Sequence, residues 1–193
     1  MQESDVAISV DTSSPQVMLQ AAASGAHMIN DVRALSREGA LSAAAATGMA
    51  VCLMHMQGNP LTMQQAPQYN AVVDDVIAYL QSRIQACLAA GVAKENISID
   101  PGFGFGKTLE HNLQLLHGLS MVSGQDFPVL VGLSRKSMID HLLQRDIQDR
   151  LPASLALGLM SLERGASILR VHDVRATRDI IDTYIAVSRC GEK

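Results

Sequence analysis

The central stretch of the chain reads ISIDPGFGFGK, from Ile97 to Lys107. Residues 97–99 form a short apolar, mostly β-branched run, which predicts a buried strand. Pro101 lacks a donor and takes the chain out of the strand, and the three glycines that follow allow positive φ or a close approach to a ligand. Asp100 at a strand end, beside an aromatic loop, suits a flat polar heterocycle. A tight strand-to-helix turn whose aromatics cap the core is the alternative that the local pattern leaves open.

Composition limits the classes of protein. The 193 residues carry a net charge of −4, are 48% hydrophobic and include three cysteines, which is enough for one core and predicts a single domain over residues 1–193. No basic stripe favours nucleic acid or a membrane surface, and no apolar run approaches the roughly 20 residues of a membrane span. The N-terminus does not resemble a signal peptide. Because the cysteines lack metal-ligand spacing, they indicate a reducing, cytoplasmic location.

Short apolar runs alternate with helical patterns along the whole chain. The predicted strands are residues 6–10, 27–29, 49–54, 97–99, 129–133 and 168–171. Helices are predicted after Ser14 and Pro15, over residues 38–47 and 71–90, after Thr108, near 138–144 and 152–164, and over 174–188. This order predicts six βα units.

Polar side chains follow each predicted strand. They are Asp11; Asn30 and Asp31; His55; Asp100; Ser134, Arg135 and Lys136; and Arg170, His172 and Asp173. In α/β folds, ligands bind at the carboxyl ends of parallel strands. The mixture of acids, amide, imidazoles and bases therefore predicts a small-molecule site at one mouth of the sheet.

Six βα units fall short of a complete (βα)₈ barrel, which typically needs about 250 residues. Two architectures remain open at this point. One is an open doubly wound sheet, and the other is a barrel that lacks two units at its N-terminal end.

Six motifs, taken in order, resemble dihydropteroate synthase of the bacterial type. They are SVDT (9–12), IND (29–31), LMHMQG (53–58), DPGFGFGK (100–107), GLSRKS (132–137) and RVHD (170–173). They are similar to the third through eighth strands of that family and extend over essentially the whole chain. The resemblance implies an α/β fold in the form of an incomplete TIM-type (βα) barrel, a single pterin-binding domain.

The resemblance also implies an activity. That family acts in folate biosynthesis, joining 7,8-dihydropterin-6-ylmethyl diphosphate to 4-aminobenzoate with release of diphosphate. It uses Mg²⁺, is the target of sulfonamides and usually forms homodimers through helices near the C-terminus. We therefore expect a cytoplasmic transferase with small-molecule substrates and a second copy of itself as partner, without nucleic-acid or membrane partners.

The family's functional residues fall on matching positions of this chain. The pterin ring would contact Asp11, Asn30, Met54, Asp100 and Lys136, and the diphosphate would contact Arg170 and His172. Phe105, Ser134 and Arg135 would border the aminobenzoate, and Lys136, Arg170 and His172 would carry the catalytic roles. His55 is left outside the site, because it equally suits a satisfied polar group beneath the loop of residues 57–68.

The sequence departs from the family in its first two βα units. In the family these supply a Mg²⁺-binding asparagine segment and a flexible segment that closes over the aminobenzoate. We therefore expect no metal ligand among the matched residues, and the main Mg²⁺ ligand in the N-terminal part that these residues do not include. Two alternatives remain: a pterin-binding methyltransferase domain acting on methyltetrahydrofolate, and a non-catalytic pterin-binding remnant.

Overall fold

A single run of parallel strands organises the molecule, in a computed structural model that describes residues 6–58 and 67–190. The first four strands, β1 (Ser9–Asp11), β2 (Met28–Asp31), β3 (Ala50–Met54) and β4 (Ile97–Asp100), pair in chain order. The last two, β5 (Leu130–Val131) and β6 (Ile168–Leu169), pair with each other, and a parallel bridge from Ile99 to Val129 joins the two groups. The predicted six parallel strands are confirmed.

The strand order decides between the two architectures that the sequence left open. A doubly wound sheet reverses its order at a switch point, whereas these strands follow one another without reversal from β1 to β6. Sequential winding is the arrangement of a TIM-type barrel. Within the described ranges, β1 and β6 do not pair with each other.

Eight helices connect or follow the strands within the described residues. They are α1 (Pro15–Ala23), α2 (Ala40–Thr47), α3 (Val72–Ala89), α4 (Leu109–His117), α5 (Leu119–Ser123), α6 (Ser137–Leu143), α7 (Leu151–Glu163) and α8 (Val174–Arg189). The short α5 was not predicted. No helix in the described part of the chain has both the length and the apolarity to cross a membrane.

Several predicted boundaries were wrong. The first strand begins at Ser9 instead of residue 6, and Val6 and Ile8 are exposed. The fifth and sixth strands are each two residues long, although apolar runs of five and four residues predicted more. An apolar run continues as a strand only while a neighbouring strand is in register with it, which the run itself does not encode.

The two predicted helix starts differ in their chemistry. Thr108 forms a capping box with His111: the Thr108 hydroxyl accepts a hydrogen bond from the backbone of His111, whose side chain accepts one from the backbone of Thr108. Ser14 also occupies an N-cap, and Pro15 is the first helical residue as predicted, but the Ser14 side chain makes no capping hydrogen bond.

The core lies between the sheet and its helices. The predicted apolar stripe of α3 is confirmed, with Val76, Leu80, Ile84 and Cys87 all buried. The strand registers set Asp11 beside Asn30, and Met54 beside Asp100. The sheet therefore brings the ends of its first four strands to a common edge.

Candidate active site

The first part of the candidate site is a pair formed across β1 and β2. Asn30 Nδ2 donates a hydrogen bond of 3.1 Å to Asp11 Oδ2. The other atom of the amide, Asn30 Oδ1, is buried and has no hydrogen-bond partner among the described residues. Since a buried acceptor without a donor is costly, this oxygen is suited to a ligand that brings an N–H group.

Asp100 ends β4 and lies almost fully buried, with 7% of its surface exposed. Its Oδ1 accepts a hydrogen bond of 2.7 Å from the backbone of Gly102. Burial raises the pKa of the carboxyl, and the positive charges of Lys136, Lys107 and Arg170 oppose that rise. The site thus holds a desolvated acceptor among cations, which is the kind of group that discriminates between polar ligands.

Lys136 lies across residues 101–106, which we call the glycine–phenylalanine loop. Its Nζ donates a hydrogen bond to the carbonyl of Phe103 and lies 4.8 Å from the centroid of the Phe105 ring. Burial lowers the pKa of Lys136 to about 8. A Cβ on Gly104 would lie 3.3 Å from Lys136 Cδ, so the small residue leaves space for the lysine stem.

Arg170 follows β6 and lies beside Asp11 at the mouth of the site. Arg170 Nη2 lies 3.5 Å from Asp11 Oδ2, and 60% of the arginine side chain is exposed. The guanidinium therefore remains accessible to an anion from solvent.

Ser134 and His172 connect the ends of β5 and β6. The Ser134 hydroxyl, which is buried, lies 3.2 Å from the backbone nitrogen of His172 and 3.1 Å from its Nδ1. The exposed imidazole is therefore oriented through its Nδ1, and its other nitrogen is directed away from that contact.

Arg135 has a strong partner of its own. Its Nε and Nη2 each donate a hydrogen bond of 2.7 Å to the carboxylate of Asp173, in the bidentate geometry typical of arginine. This pairing raises the pKa of Arg135 and lowers the pKa of Asp173. The side chain thus holds residues 134–137 against the loop after β6.

Two residues that the sequence singled out lie below the surface of the mouth. Met54 is 3% exposed, and its Cγ lies beneath Gly102. Asp31 accepts hydrogen bonds from Ser13 and from the backbone of Arg33 and Leu35. Asp31 therefore supports the turn after β2 instead of facing a ligand.

Sequence reasoning missed the role of Lys107. This lysine is 3% exposed, and its Nζ contacts His55 Nδ1 at 2.9 Å, Gly102 O at 2.9 Å and Phe105 O at 3.2 Å. His55 is 5% exposed, which agrees with its reading as a satisfied polar group. The glycine-rich stretch could have indicated this role of Lys107, because a tight loop exposes backbone carbonyl groups that need a hydrogen-bond donor.

The described carboxylates, imidazoles and thiols do not provide a built site for Mg²⁺. Within residues 6–58 and 67–190, no group of three His, Cys, Asp or Glu side chains converges. Asp11 is engaged by Asn30 and Arg170, and Asp100 by the Gly102 backbone. These described residues do not fit a protein-held Mg²⁺.

Comparison with known proteins places the chain in a family. Residues 1–172 match the model of the family described as pterin binding enzyme. The chain belongs to the pterin-binding enzyme family. This membership agrees with a mouth that combines a buried carboxylate, an unpaired amide oxygen and a lysine.

The chain is similar to several dihydropteroate synthases. That of Escherichia coli K12 is 53% identical over 176 residues, which is 91% of this chain and 62% of the relative. That of Haemophilus influenzae is 49% identical over 184 residues, or 95% of this chain and 67% of the relative. The chain thus spans somewhat over three-fifths of the length of the E. coli enzyme.

Solved structures agree with the sequence comparison. The Yersinia pestis dihydropteroate synthase with a sulfonamide drug superposes with a TM-score of 0.95 at 47% identity, covering 98% of this chain and 69% of that one. The Xanthomonas albilineans dihydropteroate synthase with 7,8-dihydropteroate gives a TM-score of 0.90 at 45% identity, covering 96% of this chain and 68% of that one. The described strands and helices therefore follow the α/β arrangement of these enzymes.

Proposed function

We propose that this chain carries the pterin-binding and condensing surface of a dihydropteroate synthase of folate biosynthesis. In this proposal, residues 1–193 act as a single pterin-binding domain and take part in joining 7,8-dihydropterin-6-ylmethyl diphosphate to 4-aminobenzoate. The observation that carries the proposal is the buried, unpaired Asn30 Oδ1 beside the Asp11 carboxylate, at the same edge of the sheet as the buried Asp100. Support also comes from the dihydropteroate synthase relatives.

A pterin matches the polar groups of the mouth chemically. Its amino group and ring N–H groups are donors, and they suit the acceptors on Asp11, Asn30 and Asp100. Its carbonyl oxygen is an acceptor and suits the ammonium of Lys136. Met54 provides the apolar support beneath the ring, since it is buried under Gly102. Because Asn30 and Asp100 are buried, a heterocycle with another donor pattern would leave them unpaired and would bind poorly.

The reaction forms one C–N bond and breaks one C–O bond. The amine of 4-aminobenzoate attacks the pterin methylene, the C–O electron pair leaves with the diphosphate, and the amine loses a proton. Arg170 and His172 stabilise the charge that develops on the leaving diphosphate. The exposed guanidinium and the imidazole held by Ser134 are accessible for this task. Positioning and charge stabilisation suffice, without a protein nucleophile.

The aminobenzoate would lie against Phe105, Ser134 and Arg135. Phe105 provides an aromatic ring, and the ammonium of Lys136 lies over one face of that ring. Ser134 links this wall to His172, and Arg135 fixes it through Asp173. A sulfonamide would occupy the same space, and a solved dihydropteroate synthase from Yersinia pestis is in complex with a sulfonamide drug.

Two further elements of the proposal concern partners. Magnesium would accompany the diphosphate, with its main protein ligand outside the described residues, which lack a cluster suited to hold it. A second copy of the chain would pack on the C-terminal helices, where Leu143, Met160 and Val187 expose apolar surface. The proposal includes a cytoplasmic location, which the cysteine content predicts.

The decisive experiment incubates the full chain with pterin diphosphate, labelled 4-aminobenzoate and Mg²⁺, and measures dihydropteroate. Asp100→Asn removes the buried charge and is expected to abolish product, whereas Asp126→Asn removes an exposed charge and leaves the rate unchanged. Pterin binding without product would overturn the synthase proposal and leave a pterin-binding module. Absence of both binding and product would overturn the proposal entirely.

A further inference from the structure

We propose that Lys107 is a positioning residue, whose buried side chain, held by His55, fixes the glycine–phenylalanine loop so that Phe105 meets the second substrate. This inference rests on the proposed function for the identity of that substrate. The holding of the loop itself stands on the contacts of Lys107 alone. Lys107 touches neither substrate in this proposal and acts only through the loop.

The contacts of Lys107 match an ammonium group. Its Nζ lies 2.9 Å from His55 Nδ1, 2.9 Å from Gly102 O and 3.2 Å from Phe105 O. An ammonium has three N–H donors, one for each of these acceptors, whereas a neutral amine would leave one unpaired. Lysine is almost never this buried without partners, so the arrangement is a built one.

His55 completes the arrangement because it stays neutral. Burial and the neighbouring Lys107 charge lower the pKa of His55 to about 3, so its Nδ1 remains an acceptor at ordinary pH. The ring packs edge-on against Tyr79, with ring centroids 5.0 Å apart, and lies 6.0 Å from the centroid of Tyr69. These contacts give the imidazole a fixed orientation towards the lysine.

The two ends of the loop are also held by close backbone packing. A Cβ on Gly102 would lie 1.8 Å from His55 O, and one on Gly106 would lie 2.4 Å from Gln57 O. The Tyr69 hydroxyl donates a hydrogen bond of 2.7 Å to Gly106 O. The ends therefore have little freedom, and the position of the middle depends on its polar contacts.

The middle of the loop is held between two lysines. Lys136 binds the carbonyl of Phe103 and lies over the ring of Phe105, whereas Lys107 binds the carbonyls of Gly102 and Phe105. Asn112 adds one contact, because its Oδ1 accepts from Gly104 N at 2.7 Å. Removing Lys107 would free the Phe105 carbonyl and with it the aromatic ring.

The two possible roles of Lys107, stabilising the fold and positioning Phe105, predict different kinetic results. If Lys107 only stabilises the fold, its loss lowers stability and leaves the two substrate KM values in their former ratio. If it positions Phe105, its loss raises the KM for 4-aminobenzoate more than the KM for the pterin diphosphate, because Asp11 and Asn30 lie outside the loop and still hold the pterin. Burial lowers the pKa of Lys107 to about 7, so the comparison is made at about pH 6.5, where the ammonium predominates.

The experiment compares Lys107→Met with Lys94→Met in the full chain. Lys94 is exposed, and the one interaction described for its ammonium is with the Phe127 ring, at 5.4 Å, so its variant removes the same atoms and charge elsewhere. Lys107→Met is expected to raise the KM for 4-aminobenzoate about tenfold, with the KM for the pterin diphosphate within about twofold of wild type. Amide hydrogen exchange in residues 102–106, measured without substrates, should also rise only in Lys107→Met.

A second variant covers the case in which Lys107→Met does not fold. His55→Phe keeps a ring between the two tyrosines but removes the Nδ1 acceptor, so it should give the same KM selectivity to a smaller extent. An unchanged KM for 4-aminobenzoate in the folded variants would overturn the inference while leaving the synthase proposal intact. Faster exchange in Lys107→Met with an inactive wild-type chain would support the loop-holding role and overturn the synthase proposal alone.

Discussion

Asn30 donates a hydrogen bond of 3.1 Å to Asp11, and the oxygen of the same amide stays buried without a partner among the described residues. The two facts are connected. Because the Asp11 carboxylate can only accept, it fixes the amide with its nitrogen towards β1, and the oxygen is then the atom available to a ligand. The orientation of one side chain therefore determines which chemical group the mouth can recognise.

Replacing Asn30 by Leu tests this relationship. The variant removes a buried unpaired acceptor and also the hydrogen bond to the half-exposed Asp11. Because the two effects oppose each other, the free energy of unfolding should change by less than about 1 kcal/mol. Affinity for 6-hydroxymethyl-7,8-dihydropterin should fall by about 10-fold to 100-fold, because the ligand donor loses its acceptor. Calorimetric titration and urea denaturation measure the two quantities. Wild-type affinity in a folded Asn30→Leu protein would contradict the assignment of this oxygen.

Lys136 should give the activity a limit on the alkaline side. Its pKa is lowered to about 8 by burial, so the ammonium is lost as pH rises through that value and kcat/KM for the pterin diphosphate should fall. Asp100, Lys107 and Arg170 are the charged groups coupled to it. Lys136→Arg keeps its charge and should hold its own kcat/KM constant to about pH 9.5. A wild-type profile that is flat to that pH would refute the role of the ammonium.

Much of the site could be predicted from sequence because it depends on strand ends. An apolar run followed by a polar residue is visible in the chain, and parallel pairing brings such ends together, as with Asp11 and Asn30. The partner of Arg135 could not be predicted in this way. Asp173 lies 38 residues further along, and only the packing of β6 beside β5 makes it a neighbour.

The burial of Lys107 could not be predicted from the sequence for a different reason. Lysine is an exposed residue by default, and its position after a glycine-rich loop resembles a solvated loop end. The loop carbonyls that require it become apparent only when the backbone is folded. Strand lengths were equally hard to predict, because the extent of β5 and β6 depends on pairing and not on the apolar run alone.

Two glycines with similar backbone angles should respond differently to alanine. Gly25 has φ +84° and open space where a Cβ would lie, so Gly25→Ala should cost about 1 kcal/mol from backbone strain alone. Gly102 has φ +72°, and a Cβ there would lie 1.8 Å from His55 O. Gly102→Ala should therefore cost more than about 3 kcal/mol. Equal losses in urea denaturation would show that the close packing of the loop on His55 is unimportant.

The two helix starts provide a matched pair for capping. The Thr108 hydroxyl accepts from His111 N at 3.2 Å, so Thr108→Ala should lower the free energy of unfolding by about 1 kcal/mol. Ser14 makes no capping hydrogen bond with its side chain, so Ser14→Ala should change it by less than about 0.5 kcal/mol. Chemical denaturation of both variants measures the difference. A larger loss of unfolding free energy in Ser14→Ala than in Thr108→Ala would contradict the assignment of the capping hydrogen bond to Thr108.

The Arg135–Asp173 ion pair should act on catalysis as a unit. Arg135 also donates a hydrogen bond of 2.9 Å to Ile147 O, and the pair connects the loop that carries Ser134 to the loop that carries His172. Arg135→Gln and Asp173→Asn should each lower kcat about tenfold, by misplacing groups around the leaving diphosphate. The double variant should also lose about tenfold instead of a hundredfold, because either change breaks the same link.

The control for this comparison of single and double variants is an ion pair of equal length on α8. Arg178 Nη2 lies 2.7 Å from Asp182 Oδ1 on an exposed face, where such pairs contribute little. Arg178→Gln should leave kcat unchanged. If the Arg135 and Asp173 effects multiplied to a hundredfold loss, each residue would be acting separately. Arg135 would then contribute directly to the aminobenzoate wall, as the family resemblance implies, instead of through the position of His172.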